Sequence, residues 1–101
     1  MIVRTWRGRA PAGNLLAYVE HFRRKVLPEL RGTEGFLGAS LLQQGGPDGV
    51  ELLVLTRWTS MEAIRAFAGD DPRRAVVHPG AVAALASFDA TVEHYEVVEE
   101  V

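Results

Sequence analysis

The chain contains no cysteine. That removes disulfides, zinc–thiolate centres and cysteine nucleophiles together, and it fits a reducing compartment. No basic segment leading into an apolar run follows Met1-Ile2-Val3-Arg4, and no cleavage signal is present, so the expected location is the cytoplasm. Neither sign of charge dominates. Eleven Lys and Arg against 13 Asp and Glu give a formal net charge of -2, which leaves no general attraction for phosphate backbones or anionic membranes. Neither nucleic acid nor membrane is an expected partner. The basic run Arg23-Arg24-Lys25 falls in the last turns of an expected helix, where it complements the macrodipole. There is no G-x-G-x-x-G, no Walker loop and no H-E-x-x-H, and the three histidines are scattered. Asp70-Asp71 before Pro72 reads as a helix stop and a new N-cap rather than a metal site. No metal and no bound cofactor are expected.

What the chain does have is 48% hydrophobic and 24% charged content over 101 residues, the make-up of one small domain spanning residues 1–101. Its organising stretch is Leu52 to Phe67. Leu52-Leu53-Val54-Leu55 is apolar at every position, so both faces of that strand ask for cover. Thr59 then opens a helix, with Thr59 and Glu62 spaced as an S/T-x-x-E capping box. Trp58 is the last strand residue before this turn, at the mouth of whatever lies between sheet and helix. Its ring either plugs the core or lines that mouth.

Around this corner the chain falls into order. Ile2 to Arg9 alternates as a first strand, with Ile2, Arg4, Trp6 and Gly8 on one face. Pro11 opens a helix whose apolar stripe is Leu15, Tyr18, Val19, Phe22, Val26 and Leu30, and Pro28 weakens its last turn. Phe36 to Gln44 and Val50 to Trp58 form a hairpin through Gly45-Gly46-Pro47-Asp48-Gly49. The Thr59 helix presents Ile64, Phe67 and Ala68 inward and ends at Gly69; a short turn over Arg73 to Val77, a break at His78-Pro79-Gly80 and a helical piece over Ala81 to Ala86 follow. Phe88 to Val98 closes the chain as a fourth strand, with Val92, His94 and Glu96 on one face. The order βαββαβ predicts an α+β, ferredoxin-like fold, a four-stranded antiparallel sheet with both helices on one face. Two helices cover only that face, so the other predicts a homodimer with sheets packed face to face.

Three stretches resemble the antibiotic biosynthesis monooxygenase domain family of the dimeric α+β barrel superfamily: Met1 to Gly8, Arg57 to Gly69 with its W-x-S-x-E-A-I-x-A-F pattern, and Val92 to Val97. The resemblance implies a pocket between helices and sheet in each subunit. Some members use it for cofactor-independent oxygenation of electron-rich phenolic or anthrone-like rings, a chemistry that needs a proton acceptor and a dry, shaped cavity. Others bind and degrade haem. The haem-degrading branch carries an asparagine in the first strand and a histidine on the second long helix. Here the first strand offers Thr5 and Trp6, and Ser60 to Gly69 contains no histidine, which leaves His78 as the one displaced alternative. Trp58 matches the family tryptophan that orients a flat substrate.

The expected catalytic residues are therefore His78, displayed before Pro79 and able to take a phenolic proton, and Trp58. Expected substrate contacts are Trp6 and Arg4 on one strand face, Tyr18 on the inner helical stripe, Phe67, and His94. Four of them have a plainer alternative: Arg4 snorkels over a core Trp6, Tyr18 is a core tyrosine, and His94 packs at the dimer interface. The function so read is cofactor-free monooxygenation of a small aromatic or polyketide-like molecule. The alternatives are a non-catalytic ligand-binding or stress-associated homodimer and a haem-binding member.

Overall fold

The computed structural model describes residues 1–46 and 48–101; Pro47, at the tip of the expected hairpin, lies outside them. β1 (Ile2–Ala10) is followed by a short 3-10 turn (Ala12–Asn14) and a helical rod made of α1 (Leu15–His21), a π-helical turn (Phe22–Val26) and α2 (Leu27–Arg31). β2 (Phe36–Gly46) and β3 (Gly49–Trp58) come next, then α3 (Met61–Ala68), α4 (Pro79–Ala84), β4 (Ser87–Phe88) and β5 (Glu93–Glu96). All strands are antiparallel in the order β2-β3-β1-β4, with β5 also paired to β1. This is the ferredoxin-like α+β arrangement. Among the described residues no helix is long and apolar enough to cross a membrane.

Register fixes the two faces of the sheet. Arg4 pairs with Thr56 and His94, Trp6 with Val54 and Gly8 with Leu52, so these side chains point together at the helices. Tyr18, Phe22 and Leu30 of the rod and Ala63 and Ile64 of α3 close over them in the core. On the opposite face Leu53 and Leu55 are half-buried, and Leu42 and Tyr95 are exposed at 45% and 52%. The continuous apolar run of β3 thus covers one face fully and leaves the other partly open in a single chain.

Five local expectations are corrected. The α3 N-cap is Ser60, whose Oγ accepts from the Ala63 N–H at 3.2 Å. The Thr59 N–H is instead taken by the Gly35 carbonyl at 2.9 Å, which pulls Thr59 into the β2–β3 corner and moves the helix start one residue on. Gly35 makes that approach workable: its φ is +92°, and a Cβ there would stand 2.5 Å from the Ala63 Cβ. Pro28 does not weaken the rod. The missing amide is absorbed by widening the preceding turn, where the Leu27 N–H bonds back to the Phe22 carbonyl. His78-Pro79-Gly80 opens α4 instead of breaking a helix, because Pro79 sits in its first turn. Arg73 to Val77 is no helical turn; a turn over Pro72–Arg73, closed by the Arg74 N–H on the Asp71 carbonyl at 3.2 Å, ends at Arg74, which bridges Thr91. The fourth strand is split, because the 89–92 segment bonds elsewhere: the Asp89 carbonyl takes the Trp6 indole N–H at 2.7 Å, and Ala90 and Val92 exchange backbone bonds with Ala75 and Arg73.

Candidate functional site

Between the rod, the inner sheet face and the 72–81 segment lies a cavity of about 50 Å³. β1 contributes Arg4 and Trp6 to its wall, the rod Tyr18 and His21, and α3 Phe67; His78 closes it from the segment before α4. Five of the expected site residues therefore line the same cavity: Arg4, Trp6, Tyr18, Phe67 and His78. His94 stands one contact behind, with its Nε2 3.1 Å from Arg4 Nη1. Trp58 is not on the wall. It is fully buried, its ring 5.6 Å from that of Phe67 and 5.4 Å from that of Phe36, and its N–H donates to Thr56 Oγ1 at 2.8 Å.

The polar groups of the wall are unusual in their pairing. Arg4 is 5% exposed and donates to the carbonyls of Pro72 at 2.5 Å and Arg74 at 3.1 Å. Burial lowers its pKa to about 10, which leaves it cationic at neutral pH. Since arginine has no acceptor, the His94 Nε2 must accept from it and the imidazole proton sits on Nδ1. Burial first, and then the Arg4 charge, push the His94 pKa down and keep that ring neutral. Burial raises the pKa of Tyr18, so its hydroxyl stays protonated.

His21 is the residue that sequence reasoning missed. It lies three positions after Tyr18, on the same inner side of the rod, and its Nε2 is buried with no hydrogen-bond partner among the described residues. Its pKa is lowered, mostly by burial, then by His78 and Lys25, so it is a neutral ring with a free nitrogen. The His78 ring lies 6.0 Å away, and its Nε2 is 3.0 Å from the Glu29 carboxylate. These two histidines also line a surface groove with Lys25, Glu29, Pro79 and Gly80, so they form the partition between cavity and solvent. The signal in the sequence is the spacing 18, 21, 22, which sets His21 beside the apolar stripe of Tyr18 and Phe22. Among the described residues no three His, Asp or Glu side chains gather in a way that could hold a metal ion.

The model of the antibiotic biosynthesis monooxygenase family matches residues 1–79. The chain belongs to that family. Solved structures extend the fold likeness over the remainder. The haem degrader MhuD from Mycobacterium tuberculosis, with two haems in its active site, is 24% identical, with 100% of this chain and 99% of that one covered and a TM-score of 0.70. A Bacillus cereus protein provisionally assigned as an antibiotic biosynthesis monooxygenase is 22% identical, covering 100% and 96%, with a TM-score of 0.68. The Streptomyces coelicolor monooxygenase ActVA-Orf6, in complex with nanaomycin D, is 22% identical, covering 93% and 82%, with a TM-score of 0.61. At these identities the structures speak for the fold of this family member and not for its substrate. None of the curated proteins matches the chain at a significant level.

Proposed function

We propose that this family member oxygenates a small aromatic hydroxy compound, without a bound cofactor, in the cavity between helices and sheet. The observation that carries the reading is the neutral His21 ring, its Nε2 buried without a partner among the described residues, beside a cavity that Trp6, Tyr18 and Phe67 line together with Arg4, His78 and aliphatic side chains. It accepts the hydroxyl proton, and His78, tied to Glu29, relays the proton toward solvent. The resulting electron-rich anion gives an electron to O2 directly. For a ring CH2, the carbon becomes C=O and the second oxygen leaves as water, so no external reductant enters. Trp6 offers the ring an aromatic surface, Tyr18 donates a hydrogen bond, and Trp58 acts through Phe67 by fixing its tilt. A cavity of about 50 Å³ holds a few waters, whereas ligand sites run to about 300 Å³ or more, so the walls move apart when substrate binds. The half-covered outer face around Leu53 and Leu55 is assigned to a second copy of the chain, sheet against sheet.

The test is oxygen uptake by metal-stripped protein against anthrones, hydroquinones and catechols, with His21→Phe and His78→Ala alongside. Uptake that falls in both variants supports the reading; a panel without uptake rejects it and leaves a binding protein, seen as a melting-temperature shift without turnover. A second reading, haem binding through His78, is favoured by that ring's place on the cavity wall. Against it stand the small volume of the cavity and the Glu29 contact of His78 Nε2. A Soret band on haem titration, lost in His78→Ala, would select it.

A further inference from the structure

We propose that the cavity is selective for ligands bearing their own negative charge, a planar aromatic carboxylate or equivalent oxyanion, and that Arg4 is the anchor that takes it. The inference rests on reading this cavity as the ligand site. β1 carries three arginines that differ in one respect. Arg7 is paired with Glu51 at 3.4 Å and Arg9 with Asp89 at 3.0 Å, both at the surface. Arg4, the buried one, is paired with no carboxylate among the described residues. The other contacts there between a basic and an acidic side chain, Arg24–Glu20 and His78–Glu29, do not involve it.

All of the partners of Arg4 are neutral: two backbone carbonyls and the imidazole of His94. These bonds use both hydrogens of Nη1 and one of Nη2. Of the five N–H donors of a guanidinium, that leaves Nε–H and one Nη2–H, on adjacent nitrogens, as a carboxylate fork requires. Hydrogen bonds to neutral groups orient a buried cation but do not neutralise it, and a buried charge is stable only when paired. Arg4 lines the cavity beside Trp6, with its Cζ over the Phe67 ring at 6.0 Å from the centroid, so a flat ligand lying along Trp6 brings an oxyanion on its edge to the guanidinium. The plainer role, tying the 72–74 turn to β1, explains the carbonyl bonds and leaves the missing counter-charge unexplained.

The experiment compares matched probes by titration calorimetry: 2-naphthoate against 2-naphthamide, nearly identical in shape and differing in charge. Wild-type protein is expected to bind the acid at least about tenfold more tightly, the worth of one charge-assisted bond in a dry site. Arg4→Gln abolishes the preference and Arg4→Lys keeps part of it. Equal affinities, a preference for the amide, a preference that survives Arg4→Gln, or no binding of either probe at millimolar concentration each overturn the proposal. Should Arg4→Gln fail to fold, the wild-type ratio together with Arg4→Lys decides. The outcome is separable from oxygenation: charge-selective binding without oxygen uptake keeps this inference and removes the oxygenase reading, and uptake of neutral anthrones without charge selectivity does the reverse.

Discussion

The β3–α3 corner and the cavity rim are built from similar residue types to opposite ends. At the corner, the polar groups that fix the turn are paired. The Trp58 N–H reaches Thr56 two residues back, the Thr59 N–H reaches Gly35, and Ser60 caps its own helix. At the rim, a cation lacks an anion and the His21 ring nitrogen lacks a partner. The rim is assembled from a π-helical turn, a six-residue helix and an irregular connection. One region is satisfied and fixes the fold; the other keeps unmet hydrogen-bonding capacity, which is what a ligand site must hold in reserve.

Four outcomes sharpen or break that contrast. Trp58→Ala empties the most buried large side chain and should lower stability by about 3–5 kcal/mol in urea denaturation; a loss under about 1 kcal/mol would show that the corner is not the anchor. Gly35→Ala puts a methyl against Ala63 at a left-handed backbone position, and about 2 kcal/mol or more should be lost. His21→Phe is the converse. It removes an unpartnered buried nitrogen, so stability should hold or rise by up to about 1 kcal/mol, while oxygen uptake falls by about two orders of magnitude. A clear loss of stability would make His21 a structural residue. The smallest effect is in pH. His21 and His94 have pKa values below their ordinary 6.5, so the unfolded chain binds protons more readily. Stability is complete above about pH 6.5 and declines as pH falls below it. His21→Phe should flatten that decline; an unchanged slope would assign it to His94 alone.

Much of the corner was legible because its signals are local. Alternation placed Arg4 and Trp6 on the inner face, and the apolar run of β3 with a polar cap beyond it marked the turn. The cap itself slipped from Thr59 to Ser60, since the competing partner of Thr59, the Gly35 carbonyl, lies more than twenty residues away in sequence. The rim was read less well for the same reason. The fourth strand breaks because Trp6 and Arg73 claim its backbone groups. Pro28 is tolerated because the rod can widen, and the exposure of His21 to the cavity depends on α4 folding back over it. None of these long-range bonds leaves a trace in the spacing of neighbouring residues.

The smallness of the cavity has a consequence in time. A space of about 50 Å³ is too small for an aromatic ring, so its walls must part before a ligand is fully seated. Observed binding rates should then level off as ligand concentration rises, at a plateau set by the frequency of opening. Gly80 bears on that frequency, because a Cβ there would come within 2.6 Å of the His21 Nδ1. The imidazole swings only as far as a residue without a side chain permits, and the smallest side chain in the short helix thus helps to set how fast the cavity fills.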